Sequence, residues 1–165
     1  MEVKTVYENP WFKVTKNGLF HYIEENGSDN GAVIVIIEGE SFVFVKVNRP
    51  AHSDELIEFP RGYANHDESS KECALRELLE ETGYVIERGS IEKLGVVKPN
   101  TAILASTINV FLAHVSKEEQ VQEHDSEVIE IIRIPISEMK QKILSGLVVD
   151  GISLSALALF WCKYP

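Results

Sequence analysis

Apolar and polar positions along the chain switch between a period of two and a helical period, and the switches mark out the elements. Trp11–Val14 and Leu19–Ile23 flank Lys16-Asn17-Gly18. Asn-Gly between two apolar-rich runs predicts a hairpin, because both residues accept the backbone angles of a tight turn. A polar stretch, Glu24–Gly31, follows, and then Val33–Ile37 and Phe42–Val47 predict a second hairpin around Glu38-Gly39-Glu40. Leu56–Phe59 reads as a short strand stopped by Pro60, and further strands are expected near Ile91–Val97, Ile108–Val115 and Glu127–Ile134. Helical spacing appears three times. One helix begins near Asp67, Ser69 or Ser70, all good N-caps, and ends at Gly83, which suits a left-handed cap. Ser137–Leu144 ends at Gly146, and Ser153–Cys162 closes the chain. Mixed strands with helices on both faces predict an α/β/α sandwich with a mixed sheet. Residues 1–30 are expected to form a hairpin extension and residues 31–165 the main domain.

The helix after Gly62 carries the chemistry. Its frame is G-x5-E-x7-R-E-L-x-E-E-x-G-Y, from Gly62 to Tyr84. With Cys73 at zero and 100° per residue, Glu80, Glu77 and Glu81 fall at about 340°, 40° and 80°. Ala74, Leu75, Leu78 and Leu79 cover the apolar arc, at about 100° to 240°. Glu77 and Glu81, four residues apart, repel each other on a bare helix. A hard divalent cation turns that repulsion into a ligand set of the kind Mg²⁺ accepts. Cys73 lies at the centre of the polar arc and is expected to pack on the neighbouring loop, since no base is paired with it.

These residues resemble the Nudix box, the signature of hydrolases acting on a nucleoside diphosphate linked to another moiety. Tyr84 puts an aromatic ring where the family has an aliphatic side chain. The resemblance covers about residues 31 to 162 and implies the Nudix fold. It implies Mg²⁺, with Mn²⁺ as a substitute, held by Glu77, Glu80, Glu81 and the backbone carbonyl of Arg61, with Glu80 also counted as catalytic. It implies structural roles for Gly62, Glu68, Arg76 and Gly83, with Glu68 and Arg76 forming an ion pair. Glu58-Phe59-Pro60-Arg61-Gly62, Val47-Asn48-Arg49, Pro99 and the tail from Ser126 to Phe160 are similar to the ADP-ribose pyrophosphatase branch. The chain departs from that branch at Arg61, where a small residue is usual, and at Asn100-Thr101-Ala102, where a glycine and a glutamate are. Substrate contacts are then expected at Arg49, Glu58 and Trp11. The fork of Arg49 suits paired phosphate oxygens, and Trp11 suits stacking on a base from a dimer partner. The plainer alternatives are a surface arginine, an exposed strand glutamate, and a tryptophan that packs in a core or interface. The general base is expected from the acidic loop Ser116–Ser126 and its border, with Glu127 first and Glu123 second; Glu118, Glu119 and Asp125 are its other carboxylates.

The remaining composition narrows partners. The chain has 165 residues, one domain's worth, with 16 basic against 26 acidic residues and a net charge of −10. No basic run points to a nucleic-acid polymer. An acidic protein acting on an acidic substrate needs cations at its site. No apolar run is long enough to span a membrane, the first residues show no signal pattern, and two cysteines make no disulfide framework. A cytoplasmic location is expected from these features, and the resemblance implies a homodimer acting on ADP-ribose or a related nucleotide sugar. Dinucleoside polyphosphates, NADH and nucleoside triphosphates are the alternative substrates. A non-catalytic sensor of nucleotide sugars would have no need of Glu77, Glu80 and Glu81 together.

Overall fold

The computed structural model describes residues 3–165; Met1 and Glu2, part of the expected N-terminal segment, lie outside the described residues. A small antiparallel sheet comes first, built from β1 (Val3–Glu8), β2 (Phe12–Asn17) and β3 (Phe20–Glu25) in the order β1-β2-β3. The predicted hairpin is β2–β3, turning at Gly18-Leu19 with Asn17 opposite Phe20. β1, which the sequence pattern did not mark, pairs with β2 and extends the hairpin to three strands. Every residue of β1 is exposed, so no buried alternation marks it in the sequence.

The main sheet holds β4 (Gly31–Glu38), β5 (Ser41–Arg49), β6 (Asp54–Glu58), β7 (Arg61–Gly62), β8 (Glu92–Val97), β9 (Ile108–Val115) and β10 (Val128–Pro135). Its spine runs β10-β5-β4-β9-β8; β4 and β9 are parallel and the other neighbours antiparallel. β4 is central, and it is apolar at six successive positions because both faces are covered. Val33, Val35 and Ile37 join one core with Phe42, Phe44, Phe59, Leu157 and Phe160, under α3 (Gly151–Lys163) and α2 (Met139–Leu144). Ala32, Ile34 and Ile36 join the other with Cys73, Ala74 and Leu78 of α1 (Ser70–Thr82). This is the predicted α/β/α sandwich.

Two local features position the site. First, β4 pairs with β5 only over Ile36–Glu38; at its other end it pairs with β7, while β5 turns to pair with β6. The sheet therefore opens beside Gly62, and residues 58–62 lie at the opening. Second, α1 is fixed at both ends. Ser69 and Glu72 form a reciprocal capping box, and Gly83, at φ 75°, ends the helix by donating its N–H to the Leu79 carbonyl at 2.8 Å. Tyr84 follows in the box, fully buried, and its hydroxyl donates to Glu38 Oε1 at 2.7 Å while Arg133 Nη2 donates to it at 2.8 Å. The aromatic departure thus ties the end of α1 to the far ends of β4 and β10.

Candidate active site

The carboxylate edge of α1 faces the opening of the sheet. Glu77 and Glu81 are both buried, and Glu80 is partly exposed. Gly62 lies so close to Glu77 that a Cβ at that position would collide with its carboxylate. Arg61 donates its backbone N–H to Glu81 Oε2 at 3.1 Å, which brings its peptide against the helix. Among the described residues no Lys, Arg or His lies within ion-pair reach of Glu81. Burial, and then the charge of Glu77, push the Glu81 carboxyl up to about 8. Burial also raises Glu77, against the pull of Arg76.

Arg76 engages more of the carboxylate edge than its pairing with Glu68 alone. On the wheel with Cys73 at zero it falls at about 300°, on the flank of the carboxylate arc next to Glu80, and its guanidinium reaches from there to the three carboxylates of Glu68, Glu77 and Glu80. It donates to Glu68 at 3.0 Å through Nε and again through Nη2, to the Tyr63 carbonyl at 2.9 Å, to Glu77 Oε1 at 2.6 Å and to Glu80 Oε2 at 2.8 Å. A wheel gives the direction of Cβ, not the reach of a long side chain. The Glu68–Arg76 pair is present and holds the Glu68 carboxyl below its usual range. Cys73 is fully buried, its Sγ 3.6 Å from the Gly62 carbonyl, and burial pushes its thiol up to about 12. It packs on the loop, as expected from the sequence.

Among the described residues no three His, Cys, Asp or Glu side chains converge into a metal-binding group. Mg²⁺ requires no such cage, since it keeps several waters and binds through one or two carboxylates. The donor set suits it: hard oxygens of Glu77, Glu80 and Glu81, with Arg61 held against Glu81 by its N–H, and at Glu81 a buried carboxyl with no ion-pair partner among the described residues.

Next to this edge lies a cavity of about 410 Å³, lined by Ala32, Arg49, His52, Arg61, Tyr63 and Ile152 among others. Arg49 and Arg61 both pair with Glu58, which is only 1% exposed. Burial opposes the Glu58 charge, and the two guanidinium groups outweigh it and hold the carboxyl below its usual range. Glu58 therefore faces the two arginines rather than the cavity. Trp11 sits on the turn between β1 and β2, 73% exposed and away from the cavity lining of its own chain. Of the box and approach histidines, His52 lines the cavity and His66 pairs with Asp67 at the surface.

The acidic loop is anchored to the C-terminal turn of α1. Gln120 Nε2 donates to the Thr82 carbonyl at 3.0 Å, Val121 N to Gly83 O at 3.0 Å, and Asp125 N to Glu80 O at 2.8 Å. Glu123 and Glu127 are exposed. Asp125 is the loop acid whose charge bears on Glu81, and it also accepts the Glu127 N–H at 3.0 Å. Sequence reasoning gave it no special place. It equally missed Tyr63 and Ile152 on the cavity wall, and Asp150, whose carboxylate meets Arg61 at 3.3 Å.

Comparison with known proteins agrees with this arrangement. The family model described as NUDIX domain matches residues 28–147. The GDP-mannose pyrophosphatase of Yersinia enterocolitica is 27% identical over 169 residues, spanning 89% of this chain and 86% of that protein. The ADP-sugar pyrophosphatase of Mus musculus is 29% identical over 147 residues, spanning 82% and 67%. A crystal structure of ADP compounds hydrolase superposes with a TM-score of 0.80 over 99% of this chain and 92% of its own, at 22% identity, and so shares the fold. The match takes in the opened sheet and the carboxylate helix together, and the chain belongs to the Nudix domain family.

Proposed function

We propose that this protein hydrolyses the diphosphate bond of a nucleotide sugar, ADP-ribose or a relative of it, to a nucleoside monophosphate and a sugar phosphate. The observation that carries the reading is Glu81: a buried carboxylate without a basic partner, beside Glu77 and next to a cavity bearing two arginines. Its charge is costly to bury alone, so the carboxyl keeps its proton until an arriving cation offsets the charge. The relatives named for GDP-mannose and for ADP-sugars differ in base and sugar and share the nucleotide-sugar class, which supports the same class here. A divalent cation, Mg²⁺ or Mn²⁺ in its place, supplies charge neutralisation of the diphosphate and an oriented water. Glu77, Glu80, Glu81 and the Arg61 carbonyl would hold it. Arg49 would bind phosphate oxygens through the guanidinium N–H groups that Glu58 leaves open. A panel of ADP-ribose, GDP-mannose, NADH, diadenosine polyphosphates and nucleoside triphosphates tests the substrate class, with the nucleotide sugars expected to give the highest kcat/KM. A preference for polyphosphates or triphosphates sinks it.

The proton of the attacking water passes to a carboxylate of the acidic loop, and Glu127 holds that role in this reading, ahead of Glu123. A positioned base contributes about 10²- to 10⁴-fold. Glu127→Gln is thus expected to lower kcat by that factor with KM little changed, and Glu123→Gln to leave kcat within a few-fold. The reverse ranking, or a large loss confined to Asp125→Asn, reassigns the base.

The protein is further read as a cytoplasmic homodimer. Val3, Val6, Tyr7, Trp11, Leu19 and Phe20 are exposed on the small N-terminal sheet, an apolar surface that suits burial against a second copy. Trp11 on a partner's cavity would then stack on the base. Both cysteines are free, in keeping with a reducing compartment. Sedimentation at micromolar concentration is expected to give twice the chain mass, and a monomer there rules the dimer out.

A further inference from the structure

The two cavity arginines are held by one carboxylate. Arg49 donates to Glu58 through Nε at 3.0 Å and Nη2 at 2.7 Å, and Arg61 donates to it through Nε at 3.0 Å and Nη2 at 2.6 Å. Both Nη2 atoms converge on the same oxygen, Oε2, so the two guanidinium groups lie side by side, close enough for one diphosphate to touch both. A guanidinium has five N–H donors. No protein acceptor engages Nη1 of either arginine among the described residues, and both side chains line the cavity. Glu58 offsets only one of the two positive charges. Asp150 meets Arg61 through Oδ1 at 3.3 Å, and its Oδ2 is engaged by the N–H and hydroxyl of Ser153, each at 2.8 Å.

A buried ion pair is weak ground for stability, because desolvation cancels much of its attraction. A carboxylate shared by two forks has a clearer use in fixing their direction before a ligand arrives. We propose that Arg61 is a substrate-contacting residue: with Arg49 it grips the diphosphate from the cavity side, and Glu58 is the positioning residue that aims the two guanidinium groups, while Asp150 only competes with the ligand for Arg61. The Arg61 backbone N–H also holds Glu81, so one residue sets the distance between the gripped phosphates and the carboxylate edge. The position where the chain departs from its branch by carrying an arginine is thereby given a task. The inference rests on the diphosphate reading of the site.

Inorganic pyrophosphate is the probe, titrated calorimetrically into the full-length protein at low salt without substrate. Hydrogen bonds to charged groups contribute about 1.5–3 kcal/mol, which corresponds to a loss of about 10- to 100-fold. Arg61→Ala is expected to weaken pyrophosphate binding by that factor. Arg61→Lys, which keeps the charge and a link to Glu58, is expected to lose most of it, because the fork is gone. Asp150→Asn keeps an N-cap for α3 and removes a negative charge, so binding should be unchanged or tighter. Melting curves establish that each variant is folded. The proposal is overturned if Arg61→Ala binds within twofold of the parent, if Asp150→Asn reproduces the full loss, or if the parent does not bind pyrophosphate in the millimolar range. If pyrophosphate binding follows Arg61 while no nucleotide sugar is turned over, the substrate reading fails and this inference stands.

Discussion

Glu81→Gln is expected to lower metal-dependent turnover by about a thousandfold while leaving the protein folded. The substitution keeps the shape of the side chain and its acceptor for the Arg61 N–H at 3.1 Å, and removes the charge. Charge stabilisation by a bound metal amounts to several kcal/mol in the transition state, and each 1.36 kcal/mol is tenfold in rate. Losing one of two buried anionic ligands forfeits most of it. Stability moves the other way. Burial and Glu77 both disfavour a charge at this place, so the metal-free variant should melt no lower than the parent, and higher if anything. The paired result separates a metal ligand from a structural residue: turnover falls and the melting temperature holds. A variant with undiminished Mg²⁺-dependent turnover removes Glu81 from the metal site.

The largest effect on stability is expected at Glu58. Glu58→Ala leaves Arg49 and Arg61 facing each other without the anion between them. Removing one partner of a buried ion pair costs about 3–5 kcal/mol, and the lower end applies because both arginines are partly exposed. For a domain of this size, about 3 kcal/mol lowers Tm by roughly 6–12 °C. Glu58→Gln keeps two hydrogen-bonding atoms and should fall between the variant and the parent. Thermal unfolding followed by circular dichroism checks the order. A loss of less than 1 °C in Glu58→Ala means the two guanidinium groups find other partners, and that the carboxylate does not hold them.

The framework was legible in the sequence where a residue answers to its near neighbours. Ser69, one of three cap candidates, marks the start of α1 and Gly83 its end because capping is a matter of three or four residues. Ile108–Val115 is a strand with the predicted bounds, since an apolar run from Val110 to Ala113 flanked by polar Thr107 and Ser116 leaves few options. The carboxylate edge was legible for the same reason, being set by spacing along one helix. What was not legible depends on distant partners. Asp150 meets Arg61 from 89 residues away, and Glu38 meets Tyr84 from 46; no local pattern couples such pairs. β1 was missed because its residues are all exposed, so neither face of it shows a buried stripe. The two-residue strand β7 is too short to carry any period, yet it brings Arg61 to Glu81.

The central claim is that the bond broken lies between the two phosphates. It is tested most directly by identifying products after incubating the purified protein with ADP-ribose and with GDP-mannose, each with Mg²⁺ and with a chelator in excess. The expected result is a nucleoside monophosphate and a sugar phosphate in equal amounts, formed only with the metal. Release of a nucleoside diphosphate and free sugar, or equal turnover in chelator, contradicts the account.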